Sequence, residues 1–347
     1  MPELPGLPSD RIGPWLREHL PERFTGDWDA ELISGGLSNI TYRIVPAGGE
    51  AVILRRPPLG EVLPSAHDMR REHRVLTALG GTAVPVPQTL ALCTDEEVLG
   101  RPFYVMTEAR GRVLRTAADT AELPPALRSE LADRLITTLA DLHAIEPAAV
   151  GLADYGRPDG YAARQLRRWG GQWEKSRTRD LPDMDRLLAR LAERLPAQTG
   201  SALVHGDYRL DNTVVDLTGP ARITAVLDWE LCTLGDPLAD LGVALSYWHD
   251  PGDDERGLIP VAAGVTAHEG FPRTHELAER YARLTGRDLT TLPFHLALAS
   301  MKLAVILEGV HARFLGGKTV TAGYDDVGDA VPVLVARGLR RLDESGV

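Results

Sequence analysis

The chain of 347 residues is 44% hydrophobic and 25% charged, which is ordinary for a globular protein with one large or two modest domains. Its net charge of −11 argues against a general nucleic-acid binder. Cys93 and Cys232 form no C-x-x-C pair, and Met1–Pro21 lacks the apolar core of a signal peptide. We therefore expect a cytoplasmic protein with buried or inert thiols that acts without nucleic-acid or membrane partners.

The N-terminal part predicts two strands joined by a glycine-rich turn. The pattern of Leu32–Ile44 is strand, turn, strand, and the turn contains small and polar residues: Gly35, Gly36, Ser38 and Asn39. Glycines let a backbone approach phosphate groups closely, and Ser and Asn side chains can donate hydrogen bonds to them. A Gly-Gly turn is also typical of a plain hairpin, so its interpretation depends on the residues that follow.

A short apolar strand and a helix follow the turn. Ala51–Arg55 has high β-propensity, and strand alternation directs Arg55 and Arg56 to opposite faces. Met69–Leu79 has helical spacing of apolar residues and carries Glu72. The separation between Arg55 and Glu72 is one that a strand, a loop and a helix can span, so an ion pair between them is predicted.

The rest of the chain predicts one more strand and several helices. Phe103–Glu108 is strand-like, whereas Leu127–Ile145 is a long amphipathic helix in which His143 is expected to be a core histidine. Tyr161–Arg179 is helical and basic; a solvated face is the ordinary interpretation, and a docking surface for an anionic substrate is the sharper one. The apolar stretch His295–Leu315 contains charged residues, so it predicts a buried helix and not a membrane span.

The chemically informative motif is the loop His205–Asn212, which follows the pattern H-x-D-x-x-x-x-N, with an apolar strand and Asp228 after it. In such a loop Asp207 can take a proton from a substrate hydroxyl and Asn212 can hold a metal ion. A second aspartate at a strand end can hold the same ions beneath the phosphates of a nucleotide. Phosphoryl transfer needs these groups because it depends on positioning and on neutralising charge.

These residues resemble the aminoglycoside phosphotransferase family, which shares the protein-kinase-like fold with choline and homoserine kinases. The resemblance extends from about Gly35 to about Leu241. Leu54–Pro58, Ala66–His67 and Arg71–Glu72 are similar to a branch that also occurs as a kinase-like domain fused to some acyl-CoA dehydrogenases. The resemblance implies an ATP-dependent small-molecule kinase that uses ATP, Mg²⁺ and a small-molecule hydroxyl acceptor.

The resemblance also implies an α+β fold with two lobes. A small N-lobe, residues 1–109, would hold an antiparallel sheet and one helix, and a larger, mostly helical C-lobe would occupy residues 110–347. The N-lobe would bind ATP through the glycine-rich turn, Arg55, Glu72 and the hinge strand end, whose backbone would pair with adenine at Thr107, Glu108 and Ala109.

The C-lobe would carry the catalytic loop. Asp207 would be the catalytic base, and Asn212 and Asp228 would bind Mg²⁺. His205 is expected to support the loop, with a general-base role as the lesser interpretation. Arg209 either steadies the γ-phosphate or pairs with a loop carboxylate. Asp236 and Asp240, farther along the chain, are expected to be structural, and Glu230 is a candidate to support the metal site.

The chain departs from the kinase pattern in its lysines, because none precedes Lys175. Protein kinases place a lysine on the third strand of the small lobe to grip the α- and β-phosphates. Arg55 occupies that position here, and an arginine can bind phosphate through two donors. The departure keeps open a second interpretation, a catalytically degenerate kinase fold that only binds nucleotide. A hydrolase or metalloprotein is a third, but it lacks the histidine spacing of such sites.

The sequence leaves two classes of acceptor open. Asp228–Glu279 is rich in acidic residues, with Arg256 and Arg273 as its only arginines, which favours a cationic, aminoglycoside-like acceptor. The basic segment Arg164–Arg179 and the dehydrogenase-fused relatives favour an anionic, hydroxyacyl-CoA-like acceptor. The fold by itself does not choose between them.

Overall fold

A computed structural model describes residues 4–33, 39–60, 67–198, 200–262, 264–317 and 326–344. The chain divides into two compact units, each described here by itself. The first comprises Met1–Gly111 with Thr224–Cys232, and the second comprises Arg112–Ile223 with Thr233–Val347. The units differ from the predicted lobes in the placement of the segment that carries Asp228.

The first unit contains a five-stranded antiparallel sheet with the strand order β1-β2-β3-β5-β4. Its elements are α1 (Ser9–His19), β1 (Trp28–Leu32), β2 (Ile40–Pro46), β3 (Val52–Arg56), α2 (Met69–Leu79), β4 (Thr89–Cys93), α3 (Glu96–Leu99) and β5 (Phe103–Thr107). One face of the sheet joins α1 in an apolar core that includes Trp15, Phe24 and Phe103. Strand β2 alternates buried and less buried side chains, whereas the central strands β3 and β5 are buried on both faces.

Helix α2 has the bounds that the sequence predicted. Its N-terminus is capped by Asp68, whose carboxylate accepts hydrogen bonds from the amides of Arg70 and Arg71. Apolar residues at helical spacing cover one face of α2, and Glu72 lies in its first turn with only 2% of its surface exposed. A buried carboxylate at this position requires a cationic or hydrogen-bonding partner.

The segment Thr224–Cys232 belongs to the first unit because of specific contacts there. The amide of Val226 donates to the carbonyl of Pro85 at 2.8 Å, and Arg71 donates to the carbonyl of Cys232 at 3.3 Å. The 3₁₀ turn Trp229–Leu231 packs against α2. These contacts place Asp228 in the same unit as Arg55.

The second unit is mostly helical. Its elements are α4 (Ala117–Ala121), α5 (Pro125–Ala144), α6 (Tyr161–Ser176), α7 (Pro182–Glu193), β6 (Ala202–Val204), β7 (Thr213–Asp216), β8 (Arg222–Val226, whose last residues belong to the first unit), β9 (Thr233–Gly235), α8 (Pro237–Tyr247), α9 (Asp254–Gly257), α10 (Thr274–Thr285), α11 (Leu292–Leu315) and α12 (Ala330–Glu344). Strands β6 and β9 pair antiparallel and lie on either side of the catalytic loop in sequence. Trp169 and Trp173 of α6, spaced four residues apart, are both buried in the helical core.

Helix α11 is the centre of the helical core. It packs against α6, α7, α8 and α12. Within the described residues it is the one helix long and apolar enough to cross a membrane, and 72% of the apolar window is buried inside the protein. Lys302 and Glu308, both buried, interrupt the apolar pattern. This burial agrees with the predicted core helix.

The segment Gly252–Ala262, which follows α8, is packed into the second unit. It contains α9 and several fully buried side chains, among them Ile259 and Arg256. The Arg256 guanidinium donates to the carbonyls of Tyr247, Ile259 and Val261. A buried arginine that binds three carbonyls folds the segment against the end of α8, a tertiary contact that glycine and proline content does not reveal.

Candidate active site

Arg55 is the centre of a cluster in the first unit. Its Nε lies 3.0 Å from a carboxylate oxygen of Glu72, and its Nη2 lies 2.5 Å from Oδ1 of Asp228. Burial alone lowers the pKa of Arg55, but Glu72 and Asp228 more than offset it and raise the pKa above its ordinary value. The predicted Arg55–Glu72 pair is therefore present, and Arg55 is cationic at any physiological pH.

Glu72 is held mainly by Arg55. Burial raises the pKa of the Glu72 carboxyl, and Arg55 and a hydrogen bond from Tyr104 oppose the rise. Tyr104 lies opposite Arg55 in the pairing of β3 with β5. The sheet register thus brings both partners of the buried carboxylate to one place.

Arg56 does not share this environment. It is 5% exposed and donates to the backbone carbonyls of Gly6 and Leu99. Strand alternation put the two arginines on opposite faces, as expected, but Arg56 is a buried structural group and not a dispensable surface residue. Loss of Arg56 would leave these two carbonyls without their donor.

Asp228 has an unusual backbone. Its φ of +64° lies in the left-handed region, which a side chain with a Cβ rarely adopts. Two residues later, Glu230 accepts a hydrogen bond from Asn39 at 3.2 Å and lies 3.3 Å from Nδ1 of His67. His67 also has a positive φ, of 61°. The turn after β8 is thus tied to the start of β2 through Glu230.

The remaining predicted nucleotide-binding residues have mixed outcomes. Gly35, Gly36 and Ser38 lie outside the described residues. At the end of β5, the amide of Thr107 already donates to the carbonyl of Gln88 at 2.9 Å. Glu108 pairs with Arg43 at 2.6 Å. The Thr107 amide is thus engaged in the sheet, and adenine pairing at this strand end stays a prediction for Glu108 and Ala109.

Asp207 is the centre of a second cluster, in the second unit. One carboxylate oxygen accepts a hydrogen bond from the Tyr247 hydroxyl at 2.8 Å. The other accepts from Nδ2 of Asn212 at 3.1 Å and lies 3.3 Å from Nε of Arg209. Arg209 also pairs with Asp211 at 3.1 Å and lies 4.8 Å from the centre of the Tyr247 ring. These contacts fix the orientation of the Asp207 carboxylate.

These neighbours decide the charge of Asp207. Burial by itself raises its pKa, but Arg209, Lys302 and the Tyr247 hydrogen bond outweigh burial and bring the pKa below its ordinary value. Asp211 behaves in the opposite way, because burial raises its pKa more than Arg209 lowers it. Asp207 is therefore ionised at neutral pH and can accept a hydrogen bond from a hydroxyl group.

Asn212 has a defined orientation. Both hydrogens of its Nδ2 are directed at Asp207, to the backbone carbonyl at 2.8 Å and to the carboxylate at 3.1 Å. The carbonyl oxygen of the Asn212 side chain accepts none of these bonds and lies on the other side of the amide. Oxygen ligands from amides and carboxylates are those that Mg²⁺ prefers, so the donor types of Asn212 and Asp228 each fit that ion.

The catalytic loop is supported by buried polar groups. Asp240 accepts the amides of His205 and Gly206 at 2.7 and 2.8 Å, and its carboxylate is also bound by His143. The ring nitrogen Nδ1 of His205 accepts from the amide of Asp207 at 3.2 Å. His205, fully buried, supports the loop backbone.

The structural roles expected for the neighbouring groups are confirmed. His143 bonds the Tyr281 hydroxyl as well as Asp240, as expected of a core histidine. Asp236 caps α8 through the amide of Leu238, as a structural aspartate should. Asp240 anchors the loop and does not face solvent.

Two residues that contact the catalytic loop were missed from sequence. Tyr247 is the last residue of α8, and only the tertiary fold brings its hydroxyl to Asp207. Lys302 donates to the carbonyl of Gly206 from α11. The available signal for Lys302 was a single lysine within an apolar helix, an arrangement that requires a buried partner.

Comparisons with known proteins show the family to which the chain is similar. The profile of the phosphotransferase enzyme family matches residues 29–287. Acyl-CoA dehydrogenase family member 11 from Gallus gallus is 38% identical over 337 residues, which cover 94% of this chain and 42% of that protein. The chain therefore spans less than half of that relative.

Solved structures show the same fold. A crystal structure from Ralstonia eutropha, provisionally assigned as an aminoglycoside phosphotransferase, is 35% identical with a TM-score of 0.82, covering 97% of this chain and 98% of that one. A thermostable mutant of aminoglycoside phosphotransferase APH(4)-Ia, in complex with ADP and hygromycin B, is 18% identical with a TM-score of 0.60, covering 96% of this chain and 99% of that one.

The antiparallel sheet of the first unit and the helical second unit, with these structural neighbours, define a protein of the kinase-like phosphotransferase class. The chain belongs to the phosphotransferase enzyme family. The predicted family and α+β fold class are both confirmed.

Proposed function

We propose that this chain transfers the γ-phosphate of ATP to a hydroxyl group of a small molecule, with Asp207 binding that hydroxyl. The observation that carries the proposal is the environment of Asp207, a partly exposed carboxylate whose pKa is kept below its ordinary value by Arg209, Lys302 and Tyr247. Unlike the fully buried Glu72, the Asp207 carboxylate keeps 18% of its surface exposed, so a hydroxyl group can reach it while Tyr247 and Arg209 hold it in place.

Asp207 would act mainly by orientation. A carboxylate with a low pKa is a weak base, and it is suited to hold the acceptor hydroxyl in line with the phosphorus atom. This suits phosphoryl transfer, whose loose transition state asks for little proton removal before the new bond forms. The acceptor hydroxyl would share or displace the hydrogen bond that Tyr247 donates to Asp207.

Asn212 and Asp228 are the residues that would hold Mg²⁺, each through a side-chain oxygen. When bound, Mg²⁺ neutralises charge on the ATP phosphates. Arg55 would bind the α- and β-phosphates with donors not directed at Glu72. Because Nη2 of Arg55 bonds Asp228, nucleotide binding would require this contact to loosen and free the carboxylate.

A catalytically degenerate kinase fold is the second candidate function. Its support is the replacement of the usual lysine by Arg55. The Arg55–Glu72 pair weighs against it, because the pair keeps a fixed cation where the kinase pattern places one. The ordered environment of Asp207 weighs against it as well.

The acceptor is proposed to be an anionic hydroxyl compound of the hydroxyacyl-CoA type, in preference to an aminoglycoside. Much of the acidic charge between Asp228 and Glu279 is paired or buried. Asp250 binds Thr274, and Asp253 pairs with Arg337 at 2.8 Å. Asp236 and Asp240 are buried in structural roles. The similarity to an acyl-CoA dehydrogenase family member supports the same choice.

The basic helix α6 contributes less to this choice than its composition suggested. Arg164 donates to the carbonyls of Arg157 and Asp159, Arg177 pairs with Glu174, and Arg179 pairs with the buried Glu308. Arg168 contacts the Trp169 ring, and Lys302 contacts the same ring. The preference for an anionic acceptor therefore depends mainly on the pairing and burial of the acidic residues between Asp228 and Glu279.

The experiment is a screen for ADP production with Mg-ATP across aminoglycosides, choline-like amines, sugars and hydroxyacyl-CoAs. We expect turnover with one class of hydroxyl compound, hydroxyacyl-CoAs first. Turnover with aminoglycosides alone would contradict the acceptor choice. Tight Mg-ATP binding without turnover in any arm would support the degenerate kinase fold.

A further inference from the structure

Lys302 is buried at the centre of α11, where an ammonium group is costly to bury. Its Nζ donates to the carbonyl of Gly206 and lies 5.6 Å from the centre of the Trp169 ring. Among the described residues, its direct partners are this neutral carbonyl and this ring, and no carboxylate forms a salt bridge with it. A buried cation with neutral partners contributes little to stability.

The carbonyl that Lys302 binds belongs to the peptide group that joins Gly206 to Asp207. The amide of the same peptide group donates to Nδ1 of His205 at 3.2 Å. On the preceding side, the amide of Gly206 donates to Asp240 at 2.8 Å. Gly206 has a φ of +84°, a conformation open to glycine, and the peptide before Asp207 is thus held at both ends.

We propose that Lys302 is a positioning residue for phosphoryl transfer: its ammonium group fixes the Gly206–Asp207 peptide and so sets the direction in which Asp207 presents its carboxylate. The inference depends on the proposed function, because it assigns Lys302 to the reaction of Asp207. Lys302 does not touch the acceptor or the nucleotide in this role.

Two features favour this role over a purely structural one. A methionine has nearly the same length and shape as the lysine side chain and would fill the same space without the cost of burying charge. The ammonium also completes the hydrogen bonding of one peptide group, since Lys302 binds its carbonyl while Nδ1 of His205 accepts its amide. The ammonium therefore serves the loop in a way that an apolar side chain cannot.

The test compares Lys302→Met with Lys302→Arg, which keeps a cation and donors, and with Arg283→Met, which replaces an exposed cation of α10 by methionine. The measurements are kcat and the KM for Mg-ATP with the best acceptor of the screen, the melting temperature, and hydrogen exchange of the peptide 205–212. A displaced catalytic group of this kind costs up to roughly 100-fold in rate.

We expect Lys302→Met to lower kcat by roughly 10- to 100-fold, with the KM for Mg-ATP within about twofold of the parent. Its melting temperature should stay within about 4 °C of the parent. Hydrogen exchange should rise in peptide 205–212 and not elsewhere. Lys302→Arg should recover most of kcat, and Arg283→Met should match the parent in every measurement.

Four results would overturn the inference, the last of them an unchanged exchange of peptide 205–212. The first is a Lys302→Met variant with parental kcat. The second is one that unfolds or exchanges faster throughout, since Lys302 would then be a structural group. The third is Lys302→Arg as slow as Lys302→Met despite a parental melting temperature. If the parent itself transfers no phosphate, the proposed function fails, and unchanged exchange of peptide 205–212 in Lys302→Met would separately refute the positioning.

Discussion

Arg55→Ala should separate the nucleotide role of the first-unit cluster from its role in stability. The change removes the guanidinium that lies 3.0 Å from Glu72 and 2.5 Å from Asp228. A charge-assisted hydrogen bond contributes about 1.5–3 kcal/mol, so loss of the phosphate contact should weaken Mg-ATP binding by roughly 10- to 100-fold. Calorimetric titration with Mg-ATP measures this directly.

The same change should destabilise the fold in a pH-dependent way. Removing one partner of a buried ion pair costs about 3–5 kcal/mol, because Glu72 is left uncompensated. Without Arg55, the pKa of Glu72 rises further above its unfolded value of 4.5. Stability is then fully present below that unfolded value and is lost as pH rises through the raised folded pKa. Arg55→Ala should therefore be closer to the parent at pH 5 than at pH 8.

The double variant Arg55→Ala/Glu72→Gln distinguishes the two effects. A neutral amide has no charge to compensate, so the double variant should recover much of the unfolding free energy at pH 8 but none of the Mg-ATP affinity. Arg70→Ala, an exposed arginine of the same helix α2, is the control and should change neither quantity. Parental Mg-ATP affinity in Arg55→Ala would refute the assignment of Arg55 to the phosphates.

Three further predictions concern neighbouring groups. Asp228→Asn should weaken Mg-ATP binding by at least about tenfold with little change in melting temperature, since its side chain is partly exposed; equal loss of ATP binding in the absence of Mg²⁺ would contradict a metal role. Arg56→Ala should lower the unfolding free energy by about 2–4 kcal/mol, measured by urea denaturation, because two carbonyls lose their donor; an unchanged urea midpoint would contradict this. Tyr247→Phe should raise the pKa of Asp207, so that the acidic limb of the kcat/KM profile moves to higher pH; an unmoved limb would show that this hydrogen bond does not act on the catalytic group.

The sequence predicted most of what depends on local pattern. Helix α2, strand β3 and the loop His205–Asn212 follow from residue spacing, and the Arg55–Glu72 pair follows from alternation and helical position. The cap at Asp236 is likewise a local signal. These features depend on contacts within one element or between close neighbours.

The features that could not be predicted depend on long-range packing. Tyr247 and Lys302 meet the catalytic loop only because α8 and α11 pack beside it. The acidic residues after Asp228 looked like one surface, but the fold buries some and pairs others. Composition counts charges and gives no information on which of them find a partner inside the protein.

The most direct test of the central claim is ³¹P NMR of Mg-ATP with the best acceptor, in the parent and in Asp207→Asn. The parent should produce a phosphomonoester resonance in equal amount to ADP. Asp207→Asn should bind Mg-ATP with nearly parental affinity and form the monoester roughly 10²–10⁴-fold more slowly. A parent that releases only inorganic phosphate, or an Asp207→Asn variant within threefold of the parental rate, would contradict phosphoryl transfer by Asp207.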